Sequence, residues 1–303
     1  MTILITGATG FIGQHLIRLN QNFRCVVRSG EKHSFTDSYS VPTINASTEW
    51  VDCFQDVNSI IHLAGLAHNR AYTDDEYRAV NTEGALRLAL KAAEAGVKRF
   101  VFVSSIGVNG SSSNNGSFSH CDSVNPHNAY TSSKYEAEVG LKKISKQTGL
   151  EVVIVRPTLV YGPNAPGNFR TLVKFVTKLP FLPFGLANNQ RDFVAVQNLA
   201  DLLVTCANHP NAAGHTFLAS DFETVSIKEF SNAIGVGLGK KVVQLPLPAS
   251  LMRFFGKATG KSAMIEQLYG DLKVDSSNIK EVLTWTPPFT MKQAMASLRN
   301  MSM

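Results

Sequence analysis

Tyr130 and Lys134 are the two residues whose types and spacing point most directly to chemistry. A separation of four places both side chains on one face of a helix, one turn apart. The phenol of tyrosine, with an ordinary pKa of about 10, is neutral at physiological pH, and a neighbouring ammonium stabilises its phenolate. Ser105, which follows an apolar run, offers a second hydroxyl for the same reacting oxygen. The three residues predict an acid–base device that exchanges a proton with a substrate hydroxyl.

A glycine-rich turn follows the apolar run at residues 3–5. Glycines between a strand and a helix permit a tight turn and a close approach of the backbone to a pyrophosphate, which the free N–H groups of the helix then bind. The turn therefore predicts a dinucleotide site, and together with the Tyr–Lys pair it predicts hydride transfer to or from a nicotinamide. The residues predicted to hold the dinucleotide here are Gly7, Thr9, Gly10, Phe11, Ile12 and Gly13.

Arg28 bears on which dinucleotide is bound. About 20 residues beyond the first glycine of such a turn, an NAD site offers Asp or Glu to the ribose 2′-hydroxyl. The second apolar run ends in residues 25–29, which contain no acid. The guanidinium of Arg28 suits a 2′-phosphate instead. The sequence therefore favours NADP, with NAD as the alternative.

Length and composition narrow the class of protein. The 303 residues, 44% hydrophobic, can bury a substantial core. Four scattered cysteines without a Cys-x-x-Cys pair predict a reduced, cytoplasmic protein, and no metal is expected because metal-ligand spacing is missing. No run approaches the ~20 apolar residues that span a bilayer. The net charge of +6 lacks the basic and aromatic interleaving of a nucleic-acid surface and fits an anionic small molecule or a plain solvated surface.

Apolar runs alternate with amphipathic stretches over the first half of the chain. This rhythm is typical of an α/β fold in which helices cover both faces of a parallel sheet. We expect a doubly wound parallel sheet (Rossmann) with a smaller mixed C-terminal domain. The predicted strands are 2–6, 24–27, 59–63, 99–104 and 151–156, and the predicted helices are 10–19, 81–95 and 128–148. The expected domains are residues 1–161 plus 192–221 for the dinucleotide and residues 162–191 plus 222–303 for the substrate.

Two further segments are less regular. The polar stretch at residues 111–125 is either a disordered connector or a lid beside the site, because it joins Ser105 to Tyr130. The short apolar stretch at residues 251–255 is expected to pack in the C-terminal domain rather than to bind a membrane, because one or two helical turns bury too little apolar surface.

Taken together, these motifs resemble those of the extended short-chain dehydrogenase/reductases, in the NAD-dependent epimerase/dehydratase family. The resemblance covers essentially the whole chain and extends to a bacterial subgroup of UDP-glucose 4-epimerase-like proteins and UDP-4-keto-sugar reductases. It rests on Asn81 and on the segments at residues 6–13, 62–65, 104–110, 130–134, 156–163 and 191–194.

The resemblance implies roles for individual residues. Asn81 supports the geometry of the site, and Lys134 also holds the nicotinamide ribose. The forked guanidinium of Arg191 suits a diphosphate. The implied catalytic residues are Ser105, Tyr130, Lys134 and Asn81; the further cofactor contacts are Leu63, Ala64, Gly65, Ser104, Tyr130, Lys134 and Pro157; the substrate contacts are Ser105, Tyr130, Asn168, Phe169 and Arg191.

Departures from the family's pattern narrow the expected reaction. Ile106 and Gly107 stand where 4,6-dehydratases carry an Asp-Glu pair, so the acid and base for eliminating water are missing. A 4-epimerase retains NAD and tends to carry an acid for it, whereas a 4-keto reductase exchanges NADPH at each turnover and suits Arg28. The expected function is therefore a UDP-4-keto-6-deoxy-N-acetylhexosamine 4-reductase of bacterial polysaccharide sugar synthesis.

Two alternatives stay open. One is a UDP-glucose or UDP-N-acetylglucosamine 4-epimerase with retained NAD. The other is a non-catalytic NAD(P)-binding redox sensor, which is disfavoured because such proteins usually lose the Tyr or the Lys. The expected partner is a nucleotide-diphosphate sugar, with no nucleic acid and no membrane insertion. The family also implies a homodimer through the helices at residues 81–95 and 128–148.

Overall fold

A computed structural model describes residues 1–67, 72–114, 116–260 and 262–300 of the chain. The strands, numbered in chain order, are β1 (Thr2–Thr6), β2 (Asn22–Arg28), β3 (Ser38–Val41), β4 (Val57–His62), β5 (Arg99–Val103), β6 (Glu151–Pro157), β7 (Leu159–Tyr161), β8 (Phe181–Leu182), β9 (Arg191–Ala195), β10 (Thr216–Ala219), β11 (Thr224–Val225) and β12 (Val243–Gln244). The α-helices are α1 (Phe11–Leu16), α2 (Asp74–Tyr77), α3 (Ala85–Glu94), α4 (Ala129–Thr148), α5 (Gly167–Lys178), α6 (Val196–Asn208), α7 (Ile227–Gly237), α8 (Ala249–Ala258), α9 (Ser262–Tyr269), α10 (Ser277–Leu283) and α11 (Met291–Ala296).

The main sheet has the strand order β10-β6-β5-β4-β1-β2-β3, and all of its pairs are parallel. The chain builds outward from β1 through β2 and β3, then returns to β4 on the other side of β1. Thr6 and His62 pair at the carboxyl ends of these two neighbours. Ligands of such sheets bind in the crevice where the order reverses. The expected doubly wound α/β fold is confirmed.

Helices cover both faces of this sheet, because successive residues of a strand face opposite sides. Along β1, Ile3 and Ile5 contribute to a core shared with α1, α6 and α10, whereas Leu4 contributes to a core shared with α3 and α4. Burial on both faces explains why the strands are continuous apolar runs in the sequence. None of the described helices has the length and apolar character needed to cross a bilayer.

A smaller unit has an apolar core of its own. β7, β9 and β11 form a three-stranded sheet, and β8 pairs with β12. Aromatic rings dominate this core: Phe193 stacks on Phe230 with ring centroids 3.7 Å apart, and Tyr161 and Phe169 also pack against Phe230. The division of the chain into two interleaved domains stays a prediction.

The predicted elements are present, with differences at their ends. All five predicted strands exist, and β1 has the predicted bounds. The prediction misses β3 and extends the first helix three residues beyond its end at Leu16. The predicted helix at 81–95 begins earlier, as a π-helical turn at Arg78–Gly84 that continues as α3. Asn81 therefore lies in a π turn, a feature often found at functional sites.

Helix α4, which carries Tyr130 and Lys134, has a start fixed by its own sequence. The Oδ1 atom of Asn128 accepts a hydrogen bond from the backbone N–H of Thr131 at 2.9 Å, and Thr131 Oγ1 accepts one from the N–H of Asn128 at 3.2 Å. This reciprocal capping sets the first turn. The helix ends at Gly149, whose φ of +79° is left-handed.

Candidate active site

The glycine turn lies between β1 and α1, at the crevice. Gly7 has a φ of +74°, and a Cβ there would lie 2.9 Å from the backbone nitrogen of Ala64. A Cβ at Gly13 would overlap the carbonyl oxygen of Gly7. Gly10 begins α1 without a side-chain cap, so the first N–H groups are open to an anion. These observations fit a backbone cradle for a dinucleotide pyrophosphate.

His62 and Thr6 connect the carboxyl ends of β4 and β1 beside this turn. The Thr6 hydroxyl accepts a hydrogen bond from the backbone N–H of Ala64 at 3.2 Å and lies 2.8 Å from Nδ1 of His62. The imidazole is fully buried and stacks on Phe102. Burial, with a contribution from Lys134, lowers the pKa of His62 to about 3, so the ring is neutral. Sequence reasoning assigned His62 no such link, because its partner lies on another strand.

Asn81 ties the segment after β4 to helix α4. Its Oδ1 accepts from the N–H of Leu66 at 2.7 Å, and its Nδ2 donates to the Leu66 carbonyl at 3.1 Å and to Ser133 Oγ at 3.0 Å. A Cβ on Gly65 would lie 2.8 Å from Asn81 Oδ1 and 3.2 Å from Nζ of Lys134. The structure thus brings together three regions that the sequence motifs place far apart.

Tyr130 and Ser105 meet at the crevice. The hydroxyl of Ser105 accepts from the N–H of Gly107 at 3.1 Å and interacts with the phenol of Tyr130. Burial raises the pKa of Tyr130 to about 12, the neighbouring Ser105 hydroxyl opposes this rise, and Tyr77 adds to it. Two hydroxyls of different acidity therefore sit side by side, as the predicted acid–base device requires.

Lys134 lies deeper on the same face of α4. Its ammonium donates to the carbonyl of Val103 at 3.0 Å and lies 4.7 Å from the centroid of the Phe102 ring. Burial lowers the pKa of Lys134 to about 8, and the charge of Glu138 opposes this. Burial of the phenol dominates the pKa of Tyr130 in the protein alone, and the expected stabilisation of its phenolate by Lys134 and a bound nicotinamide stays a prediction.

Ser104 belongs to a buried network behind the site. Its hydroxyl donates to Glu138 Oε1 at 2.6 Å, and the same carboxylate accepts from Nε of Arg156 at 2.9 Å. Arg156 also donates to Asn109 Oδ1 at 2.9 Å. The side chain of Ser104 is therefore engaged within the protein, and its contact with the cofactor, which stays a prediction, would come from its backbone. Sequence reasoning missed Glu138, although it follows Lys134 by four residues on the same helical face.

The other predicted cofactor residues lie at the carboxyl ends of the central strands. Leu63 and Ala64 are half-buried and Gly65 is exposed, directly after β4, whereas Pro157 is buried at the end of β6. Arg28 is exposed at the end of β2, and within the described part of the chain its guanidinium makes no hydrogen bond or ion pair. An exposed cation there is free to meet a phosphate.

The predicted substrate residues other than Ser105 and Tyr130 lie in the smaller unit. Asn168 is exposed at the start of α5, whereas the ring of Phe169 is buried against Tyr161. Any substrate contact of Phe169 would therefore come from its backbone, and its role in substrate binding stays a prediction. Arg191 donates to the Gly270 carbonyl at 2.8 Å, and burial lowers its pKa to about 10.

The polar stretch at residues 111–125 is held against the smaller unit, apart from Asn115, which lies outside the described residues. The N–H of Ser113 donates to the Asp271 carbonyl at 3.0 Å, and the N–H of Phe118 donates to the Lys273 carbonyl at 2.8 Å. Of its two interpretations, a disordered connector is wrong for this described part. The stretch meets the segment that also contacts Arg191, since Leu272 pairs with Arg191.

The cysteines are free thiols, and three of the four are buried. Burial raises the pKa of Cys25 to about 11 and that of Cys53 to about 12, so both are unreactive thiols. In the described ranges, no group of three or more His, Cys, Asp or Glu side chains could hold a metal ion.

The chain is similar to known proteins over nearly its whole length. The model of the NAD dependent epimerase/dehydratase family matches residues 3–219. A UDP-glucose 4-epimerase of Vibrio cholerae is 41% identical over 303 residues, which cover 96% of this chain and 92% of that protein. A UDP-glucose 4-epimerase of Mycolicibacterium smegmatis is 27% identical over 321 residues, covering 98% and 96%. The crystal structure of a UDP-glucuronic acid 4-epimerase from Bacillus cereus in complex with NAD shares the fold, with a TM-score of 0.77, 19% identity and coverage of 99% and 96%.

Proposed function

The chain belongs to the NAD-dependent epimerase/dehydratase family and is an enzyme of nucleotide sugars, and from this premise we propose that it transfers hydride at C4 of a nucleotide-diphosphate sugar. The observation that carries the proposal is that the Ser105 hydroxyl and the phenol of Tyr130 interact at the crevice that holds the glycine turn. Because the chain is an enzyme, the redox-sensor alternative is not retained.

The residues of the crevice suit a nicotinamide dinucleotide. The absence of a Cβ leaves the backbone of Gly7 close to the segment after β4 and Gly13 close to Gly7 and Ala8, and the uncapped start of α1 suits the pyrophosphate. Lys134, next to Gly65, would hold the nicotinamide ribose. A bound nicotinamide would supply or accept the hydride, and its oxidised ring would carry a positive charge.

Tyr130 exchanges the proton with the oxygen on sugar C4, and Ser105 holds that oxygen by a hydrogen bond. The raised pKa of Tyr130, about 12, keeps the phenol protonated in the free protein, ready to donate to a carbonyl. Lys134 keeps a positive charge near the site, anchored on the Val103 carbonyl. A protonated acid before turnover suits reduction of a keto group.

Of the reactions open to this arrangement, we propose reduction of a UDP-4-keto-6-deoxy-N-acetylhexosamine with NADPH. Arg28 supports it, because its guanidinium is exposed at the end of the strand that faces the adenosine ribose in such folds. The side chains of Ile106 and Gly107 provide neither acid nor base for the elimination that a dehydratase performs.

A 4-epimerase with retained NAD is the second candidate. The relative from Vibrio cholerae, at 41% identity, carries the name UDP-glucose 4-epimerase. The same Tyr130 and Ser105 pair would act in both half-reactions, first as base and then as acid. The two candidates differ in whether the cofactor leaves after each turnover.

Two assays on the purified protein separate the candidates. In the first, UDP-4-keto-6-deoxy-N-acetylglucosamine is added with NADPH or NADH, and loss of nicotinamide absorbance is followed. In the second, UDP-glucose and UDP-N-acetylglucosamine are added without reductant, and inversion at C4 is followed by NMR. Stoichiometric oxidation of NADPH supports the reductase, and inversion without reductant replaces it by the epimerase. If the protein is inactive in both assays, the proposal of C4 chemistry on these UDP-sugars is contradicted.

A substitution at Arg28 tests its role in binding NADPH. Arg28→Ala should weaken NADPH binding about tenfold or more and leave NADH binding nearly unchanged, because the ion pair with the 2′-phosphate is lost. Lys146→Ala, an exposed cation on the distant part of α4, is the matched control. An equal loss of affinity for NADPH and NADH would contradict the role of Arg28.

We also propose a homodimer through α3 and α4, as the family implies. Leu90 on α3 is 39% exposed and Val139 on α4 is 51% exposed, so each helix carries an uncovered apolar side chain. Light scattering should give the mass of a dimer for the wild type and of a monomer for Val139→Glu. A monomeric wild type contradicts this proposal.

A further inference from the structure

Helix α8 is attached to the smaller unit by one face. Met252 packs against the aromatic core, and a Cβ on Gly256 would lie 2.8 Å from Cγ1 of Ile265 on α9. Arg253 and Glu266 form an ion pair at 2.9 Å between the two helices. This inner face therefore supplies the packing that holds α8 on the smaller unit.

The outer face of α8 is also apolar, but nothing described covers it. Leu251, Phe254 and Phe255 are 39%, 65% and 51% exposed. Their spacing of three and four residues places them together on one side of the helix. The expectation that residues 251–255 pack in the C-terminal domain is thus right for Met252 and wrong for both phenylalanines. Two exposed phenylalanines in sequence are a costly surface in water and indicate a binding face.

The stretch of sequence that contains α8 carries charge of one sign. From Phe230 to Ile265 the sequence contains no Asp or Glu, and the first acid after it, Glu266, is paired with Arg253. The lysines of this stretch that the structure describes are all exposed. The five cations of this stretch are Lys240, Lys241, Arg253, Lys257 and Lys261.

We propose that the outer face of α8 docks on an anionic lipid bilayer, with Phe254 and Phe255 entering the boundary between headgroups and acyl chains. Aromatic residues beside lysines, without acids, are the composition that binds such surfaces. A second copy of the chain fits less well, because docking α8 on α8 would bring lysines together. An acidic protein surface would satisfy the lysines, but it offers no apolar layer for the two rings.

Vesicle sedimentation tests the proposal with the full-length protein. Vesicles of phosphatidylcholine alone are compared with vesicles that also contain phosphatidylglycerol. The wild type should bind the anionic vesicles, and high salt should release it, because the headgroup attraction is screened. Phe254→Ser/Phe255→Ser should reduce binding about a hundredfold or more, since each buried phenylalanine contributes at least a tenfold factor. Lys241→Glu/Lys257→Glu should also reduce binding.

Val51→Ser, which changes an apolar side chain 61% exposed on the dinucleotide part, is the matched control and should bind vesicles like the wild type. Unchanged thermal midpoints show that the α8 variants fold. Absence of binding to anionic vesicles, equal binding to neutral vesicles, or full binding by the double phenylalanine variant overturns the proposal. Self-association or capture of an acidic protein that is lost in that variant, without vesicle binding, also overturns it and assigns the face to that partner.

Discussion

Glu138 lies one helical turn beyond Lys134 on α4, and its carboxylate is the charge that opposes the effect of burial on the Lys134 ammonium. The same carboxylate binds the Ser104 hydroxyl and the Arg156 guanidinium. Glu138 is itself almost fully buried, with 1% of its surface exposed, so its charge is little screened by solvent. The charge state of Lys134 therefore depends on a network that anchors the strand end before Ser105.

Glu138→Gln should lower the pKa of Lys134 further below its ordinary value, because a negative charge is removed while burial stays the same. Lys134 would then lose its proton at a lower pH. The alkaline limb of the pH profile of kcat/KM should move to lower pH in the variant. The measurement is the initial rate of C4 chemistry from neutral to alkaline pH.

Glu136→Gln, on the exposed side of the same helix, is the matched control and should leave the alkaline limb in place. Glu138→Gln also leaves Arg156 without its charged partner, which costs about 3–5 kcal/mol of stability. Denaturant unfolding therefore accompanies the rate measurements. A folded variant with an unshifted alkaline limb would show that Glu138 does not set the charge of Lys134.

Tyr130→Phe should reduce turnover by about 10²–10⁴-fold, because the group that exchanges the proton is lost. Dinucleotide affinity should change little, since the glycine turn is untouched. Rapid kinetics gives turnover, and quenching of protein fluorescence gives affinity. Tyr135→Phe, a half-buried tyrosine on the same helix, should retain near-wild-type turnover. Full activity of the Tyr130 variant would remove this residue from the mechanism.

The central fold could be predicted from sequence because buried parallel strands are apolar on both faces and the glycine turn follows the first of them. β3 could not, since Ser38–Val41 is short and half polar and is recognised only by its pairing with β2. The π turn around Asn81 could not be predicted either, because its apolar spacing resembles that of an α-helix.

The site, too, could be predicted from the sequence only in part. The positions of Ser105, Tyr130 and Lys134 follow from motifs, but the direction of each side chain depends on packing. Adjacent residues of an extended segment point to opposite sides, so Ser104 meets Glu138 while Ser105 meets Tyr130. The pKa of Tyr130 depends on burial, which a motif does not encode.

Gly7→Ala should abolish or strongly weaken dinucleotide binding and destabilise the fold. The variant combines a left-handed φ of +74° with a Cβ 2.9 Å from the backbone of Ala64. Gly96→Ala is the matched control, because Gly96 has a φ of +79° but no atom within 4 Å of an added Cβ. The control should lose only the ~1 kcal/mol of left-handed strain. Denaturant unfolding and dinucleotide titration measure both effects, and equal behaviour of the two variants would contradict the close approach of Gly7 to Ala64.

His62 makes the stability of the protein depend on pH. Its pKa is about 3 in the folded protein and about 6.5 when unfolded, so the unfolded chain binds the additional proton between these values. The contribution of His62 to the free energy of unfolding is complete at pH values above its pKa in the unfolded chain. It falls as the pH decreases towards its pKa in the folded protein. The slope in the free energy of unfolding approaches 1.4 kcal/mol per pH unit within this window.

His62→Gln should therefore show a shallower loss of stability between neutral pH and pH values of about 4, even though it is less stable at neutral pH through lost packing on Phe102. Urea unfolding at several pH values gives the two slopes. His33→Gln, which removes an exposed imidazole, should retain the wild-type slope. Parallel curves for the wild type and the His62 variant would mean that His62 is protonated in the folded state, and the neutral link between β1 and β4 would have to be abandoned.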